Sequence, residues 1–274
     1  MQDQPGAAFG VAGNFTGHLE QAGEASDFVA VRAGAGKPKG MFPIYLAGTE
    51  GRLAVWPFSS DELRLPATEE SIQPEPELAL RCRLTYDEGG VVAVEPDAFA
   101  AFDDTSIRRP NAPKISHKKN WGPGSKGLAA SWIPLDRFTA DGVLAHHRLA
   151  CFLVRDGRCE AYGEDSAVAD YGTMYGELTS WMTDRLRHQE DHGPLEHLAG
   201  CLDLAGRPEH VVITIGATRY TALGESTFVR AGDEVVVVVY DARCSTPASV
   251  AAAVAAGATS IESASVLRRR ATPS

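Results

Sequence analysis

Glu75 and Glu77 stand two residues apart, interleaved with Pro74 and Pro76 and followed by the apolar run Leu78-Ala79-Leu80. In an extended segment that spacing puts both carboxylates on one face. Two anions held together on a sheet face repel unless something positive sits between them, and a divalent metal meets that need. Two other short stretches carry complementary groups. Gly13-Asn14-Phe15-Thr16-Gly17-His18-Leu19-Glu20-Gln21 sets an imidazole in a glycine frame, and Phe102-Asp103-Asp104-Thr105-Ser106-Ile107-Arg108 adds carboxylates and a guanidinium. Together they hold the oxygen ligands, the base and the cation of a metal-assisted enolate site. The blander alternative is a solvated acidic strand edge, where Pro76 is tolerated.

The elements that must position these groups are mostly strands. Residues 79–86 and 91–94 read as a hairpin around Asp87-Glu88-Gly89-Gly90. Residues 149–154 and 159–162 read as a second hairpin around Arg155-Asp156-Gly157-Arg158. Residues 211–215 and 234–240 are further strands, and 40–45 and 51–58 are early strands and loops. Tyr171, Met174, Tyr175, Leu178, Trp181, Met182 and Leu186 recur at helical spacing and predict a helix roughly between Val168 and His188. Its Met and aromatic stripe reads as core packing. A shorter helix is expected near Pro194–Leu202 and another in the Ala-rich 247–258 stretch, whereas 268–274 reads as frayed. The expectation is a β-rich α+β fold.

At 274 residues and 44% hydrophobic, the chain can bury a sizeable core. A net charge of -10 with scattered basic residues argues against a nucleic-acid or anionic-membrane partner. No apolar run approaches the roughly 20 residues of a membrane helix. Five cysteines without a C-x-x-C spacing disfavour a zinc site or a disulfide framework. The start of the chain lacks the basic and apolar regions of a secretory signal, so the expected location is cytoplasmic. Lys114-Ile115-Ser116-His117-Lys118-Lys119-Asn120-Trp121-Gly122 is locally basic and is read as flanking the mouth of the site, where it attracts an anionic substrate.

The order of these motifs resembles the fumarylacetoacetate hydrolase family, as an uncharacterised, divergent branch. The family pattern runs G-x-N-Y/F-x-x-H, E-x-E, D-x-S/T-x-R, a lysine, a Gly-Thr-Pro strand end and L-x-x-G-D-x-V. Here Gly13, Asn14, Phe15 and His18 match the first, Glu75 and Glu77 the second, and Asp104, Ser106 and Arg108 the third. Lys126 falls at the family's active-site lysine, residues 214–218 at the strand end, and residues 229–235 at the step into the last strand. The likeness covers most of residues 10–240. There are departures: Gln21 stands where the family lid carries a Glu, Ala217 at the family threonine with Thr218 next to it, and Asn111 where a Gln is common.

The resemblance implies a mixed β-sheet roll like that family's C-terminal domain. Residues 1–70 would form an N-terminal lid and early strands, 71–244 the metal-binding core, and 245–274 an Ala-rich C-terminal tail. It implies Mg²⁺, with Mn²⁺ or Ca²⁺ as substitutes, held by the all-oxygen set Glu75, Glu77 and Asp104. Asp103 competes for the third place, and register with Ser106 and Arg108 favours Asp104. His18 would be the base, its ordinary pKa near 6.5 suiting proton removal at neutrality, helped by Glu20 or Glu24. Glu20 shares a face with His18 in a strand but not in a helix. Lys126 completes the catalytic set, and Arg108, Asn111 and Thr218 would bind substrate. The implied protein is a homodimeric enzyme acting through an enolate on a small 2-oxo or 1,3-diketo acid. Carbon–carbon hydrolysis of an acylpyruvate-like compound comes first. Decarboxylation, hydration, keto–enol isomerisation and a catalytically silent metabolite-binding protein are the alternatives.

Overall fold

A computed structural model of the chain describes residues 4–28, 31, 34, 36–68, 70–109 and 112–274. In chain order the strands are β1 (Ala7–Ala12), β2 (Gly40–Leu46), β3 (Phe58–Ser59), β4 (Glu62–Arg64), β5 (Ile72–Gln73), β6 (Pro76–Asp87), β7 (Gly90–Asp103) and β8 (Ser106–Ile107). There follow β9 (Lys126–Leu128), β10 (Ile133–Pro134), β11 (His147–Arg155), β12 (Arg158–Ala167), β13 (His210–Thr214), β14 (Glu234–Asp241) and β15 (Ala264–Thr272). The helices are α1 (His18–Gln21), α2 (Tyr175–His188), α3 (Leu198–Leu204), α4 (Ala222–Ser226) and α5 (Pro247–Ala255). This is the β-rich α+β architecture expected, built as two curled mixed sheets.

The larger sheet has the order β2-β1-β13-β6-β7-β9-β3, with β10 pairing β7. The smaller runs β12-β11-β14-β15-β4, and β5 pairs only with β8. Leu78, Leu80, Phe99 and Ala101 on one sheet meet Cys151, Val237, Val239 and Leu267 on the other in the main core. The opposite face of the large sheet buries Ala8, Phe42, Ile44, Ala79 and Phe102. Val236 and Val238 turn to the far side of the small sheet, where α5 covers them with Val250 and Val254. Both faces of β14 are therefore dry, which explains its unbroken valine run. Along β6, strict alternation holds only towards the turn: Arg81, Arg83 and Thr85 are exposed, whereas residues 76–80 are all buried.

The predicted helix over 168–188 is shorter, beginning at Tyr175. Residues 172–173 instead run beside Asn14, which accepts the Gly172 amide on its carbonyl (2.8 Å) and the Thr173 amide on Oδ1 (2.9 Å). Residues 268–274 are not frayed. β15 pairs with β14 and β4, burying Ser265, Leu267, Arg269 and Ala271 in alternation. The run Arg268-Arg269-Arg270 conceals this period of two. Arg269 is fully buried; it faces Asp103 Oδ2 at 2.8 Å and donates to Thr105 Oγ1 at 3.2 Å and to the Glu62 carbonyl at 3.0 Å. Removing one member of such a pair leaves an uncompensated buried charge. Arg269→Met is expected to destabilise the fold by about 3–5 kcal/mol. Arg270→Ala, whose side chain is 65% exposed, should stay within about 0.5 kcal/mol. Urea midpoints of the two variants measure the contrast.

Candidate functional site

The chemistry sits at the open end of the β6–β7 hairpin. Pro76 pairs with Asp103 and Glu77 with Phe102, and the Asp104 amide donates to the Glu75 carbonyl at 2.9 Å. That register lays residues 75–77 beside 103–104. Glu75, Glu77 and Asp104 are all buried, and one carboxylate oxygen of each lies within 4.8 Å of the other two. Asp103, the competing acid, has other work. Its Oδ1 accepts from the Glu75 amide (3.0 Å), and its Oδ2 from the Thr105 hydroxyl (2.6 Å) as well as Arg269. It braces the loop that carries Asp104.

Three cations face the carboxylates. Lys119 Nζ lies 2.8 Å from Glu75 Oε2 and 2.6 Å from Asp104 Oδ2, and donates to the Ser106 hydroxyl at 2.6 Å. Lys126 Nζ is 2.9 Å from Asp104 Oδ1 and donates to the Thr105 carbonyl. Arg108 Nη1 is 2.7 Å from Glu24 Oε1 and 2.8 Å from Glu75 Oε1, while its other nitrogens donate to Gln73 and, at 2.8 Å, to the Tyr220 hydroxyl. Arg108 is thus engaged by Glu24, Glu75, Gln73 and Tyr220 at the edge of the site. In the basic stretch 114–122, Lys118 and Lys119 are buried rather than solvated and line the two cavities described below. Lys119 is the site residue that sequence reasoning missed. No local pattern marks it: Lys119 caps the 3₁₀ turn Ile115–Lys118, and its burial comes from packing against distant segments.

The N-terminal segment closes the site. Gly17 precedes α1 with φ 87°, and the Gln21 side-chain amide pairs with the Tyr220 backbone through Nε2 to O (3.1 Å) and N to Oε1 (2.9 Å). Because 18–21 is helical, His18 and Glu20 diverge: His18 is buried and Glu20 exposed. Glu20 therefore does not orient the imidazole. Glu24 turns inward instead, but Arg108 and Lys118 (2.8 Å) hold its carboxylate. His18 Nε2 lies 4.0 Å from Glu75 Oε2, and neither ring nitrogen has a hydrogen-bond partner among the described residues. Gly216 (φ 103°) leaves room for Asn14, whose Cβ would be 3.2 Å from an added Cβ, and donates its amide to Glu77 Oε2 at 2.9 Å. Thr218 is buried with an unpartnered hydroxyl; Ala217, not Thr218, lines the cavity. Asn111 lies outside the described residues.

A cavity of about 20 Å³ touches His18, Glu24, Glu75, Glu77, Asp104 and Lys119. That is room for about one water. Beyond Glu24 and Arg108 lies a second, polar cavity of about 200 Å³, also lined by Arg109 and Lys118.

Burial pushes the Glu77 carboxyl well above the carboxylate range, and repulsion from Asp104 and Glu75 pushes it further. Burial acts the same way on Glu75, but Lys119 and Arg108 outweigh it and hold that group well below its usual value. Lys119 is held protonated: burial opposes the charge, but Asp104, Glu75 and Glu24 override it. Burial, aided by neighbouring Lys119, lowers Lys126 to about 8 against the pull of Asp104. His18 falls to about 4, chiefly through burial, with Glu75 pulling the other way. Both Asp104 oxygens lie at ion-pair distance from lysine ammonium groups, and Glu75 Oε1 from the Arg108 guanidinium, yet none of the three has an aligned hydrogen bond. Fully buried, hard and directed into one cavity, these oxygens suit a divalent cation of the Mg²⁺ class.

This fold, two curled mixed sheets with a buried acidic triad at the end of the central hairpin, is shared along nearly the whole chain with solved structures of low sequence identity. By sequence, the chain belongs to a family of unknown function, DUF5718, whose profile matches residues 24–271. No curated protein matches it. Among solved structures, the inhibitor-bound protein Cg1458 is similar at 14% identity and TM-score 0.57, covering 98% of this chain and 78% of that one. A 5-carboxymethyl-2-hydroxymuconate delta-isomerase from Mycobacterium smegmatis is similar at 13% identity and TM-score 0.53, covering 98% and 80%. A 2-keto-3-deoxy-D-arabinonate dehydratase, complexed with magnesium and 2,5-dioxopentanoate, is similar at 13% identity and TM-score 0.51, covering 98% and 74%. Among the described residues no helix is long and apolar enough to cross a membrane.

Neutral burial of His18 has a measurable consequence in the metal-free chain. Its folded pKa of about 4 lies below the ordinary 6.5, so protonation favours the unfolded state. The stability that this group contributes is full above pH 6.5 and drains as pH falls through 4. In ¹H–¹³C spectra the His18 Cε1–H resonance should keep its neutral position at pH 5.5. A midpoint near 6.5 would contradict the buried placement.

Proposed function

We propose that this protein is a divalent-metal-dependent enzyme acting through an enolate on a small 2-oxo or 1,3-diketo acid. The observation that carries the reading is the convergence of three buried carboxylates in a small cavity that a neutral His18 also lines. Glu75, Glu77 and Asp104 would hold Mg²⁺, which when bound supplies Lewis acidity for developing enolate charge. His18, with no partner on either ring nitrogen, is free to take a proton from carbon or water. Lys126, lowered to about 8, can give or accept a proton near neutrality. The small cavity excludes bulk water from the enolate.

Charge balance supports an anionic substrate. Six acids, Glu24, Asp27, Glu75, Glu77, Asp103 and Asp104, face five cations, Arg108, Lys118, Lys119, Lys126 and Arg269. A divalent ion would tip that balance to the positive side, which an anionic ligand or a deprotonated Lys126 restores. Carbon–carbon hydrolysis of an acylpyruvate-like compound remains the first reading. The outward Glu20 favours a second one, isomerisation or dehydration, because among the described residues no carboxylate is hydrogen-bonded to His18 to help it activate water; the nearest ion-pair contact is Glu75 at 4.0 Å.

Both readings share proton exchange beside the keto group. Protein loaded with Mg²⁺ in D₂O should exchange C3 hydrogens of pyruvate or a longer 2-oxo acid, and His18→Asn should slow this by about 10²–10⁴. Glu77→Ala should abolish the calorimetric Mg²⁺ signal. A folded wild-type protein that binds the metal but neither exchanges nor turns over any acid in a panel of 2-oxo and diketo acids would overturn the enzymatic reading.

A further inference from the structure

Lys119 stands where a metal's charge is wanted. Its ammonium lies 2.8 Å from Glu75 Oε2 and 2.6 Å from Asp104 Oδ2, two of the three carboxylates that converge. An ion about 2.1 Å from those same oxygens would sit no more than about 5 Å from Nζ. Two cations at that separation in a buried site repel strongly. Each ammonium has a hydrogen-bond acceptor and an aromatic neighbour, the Ser106 hydroxyl and Phe42 for Lys119 and the Thr105 carbonyl and Trp121 for Lys126, so the two lysines differ in the backbone that carries them. Lys126 belongs to β9, hydrogen-bonded between β3 and β7, and its Nζ is also fixed by the Thr105 carbonyl. Lys119 follows a 3₁₀ turn outside any strand and lines the cavity, and its Nζ lies 5.3 Å from the centroid of the Phe42 ring. That aromatic face already attracts the ammonium where it stands and can keep it within the cavity once it leaves the carboxylates.

We propose that Lys119 is a tethered cation that occupies the carboxylate cage and competes with a divalent ion for Glu75 and Asp104. This rests on the metal-site reading above. Metal uptake then moves the Lys119 ammonium off those oxygens while keeping it within the cavity, beside any anionic ligand that enters. Metal affinity in this chain is set by that exchange as much as by the three carboxylates.

Mn²⁺ binding to wild type and Lys119→Met, followed by electron paramagnetic resonance of the free ion, tests the exchange. Tighter binding by the variant, at least tenfold, or binding by the variant alone, is the expected result. Equal or weaker binding by a folded variant, with wild type binding normally, overturns the role of Lys119 and leaves the metal site standing. No binding by either protein overturns the metal site itself. Should Lys119→Met not fold, the ¹⁵Nζ resonance of Lys119 in wild type replaces it. Saturating Mg²⁺ should move that resonance, and an unmoved signal in the loaded protein overturns the proposal.

Discussion

Like charge buried at close quarters is the constraint around which this molecule is organised. Three carboxylates that share one small cavity have given up water, and none could stay ionised there alone. The fold answers with charge from several directions: Lys119 from a turn, Lys126 from an inner strand and Arg108 from the loop beyond β8. Asp103 and Arg269 form a second, fully buried pair behind the first. That pair ties the ligand loop to the last strand of the chain. The open end of one long hairpin is thus held by residues more than 160 positions apart.

The closure of the site follows from the same electrostatics. Glu24 completes the coordination of Arg108 and Lys118, so the segment carrying His18 is drawn over the cavity by ion pairs as well as by the Gln21–Tyr220 latch. A cavity near 20 Å³ does not admit an organic acid. Glu24 lines both the inner and the outer cavity and is held there by Arg108. Gly17 and the shortness of α1 make this segment the one best placed to yield.

Much of this was legible in the sequence because it depended on local patterns. A spacing of two put Glu75 and Glu77 together, turn residues marked both hairpins, and the apolar runs of β13 and β14 announced buried strands. What failed depended on tertiary context. The helical turn at 18–21 separates Glu20 from His18, and no periodicity in four residues could reveal it. Arg108 and Lys119 have the composition of surface residues, and only the packing of distant segments turns them inward. β15 was hidden by three consecutive arginines, of which the middle one is the most deeply buried.

The central claim is that Glu75, Glu77 and Asp104 together form the seat of a divalent cation. Crystals soaked in Mn²⁺ and measured at the manganese absorption edge address it directly. The account predicts one anomalous peak about 2.2 Å from an oxygen of each of these three residues. Crystals that diffract well after the soak but show no such peak, with Lys119 still seated between Glu75 and Asp104, would contradict it.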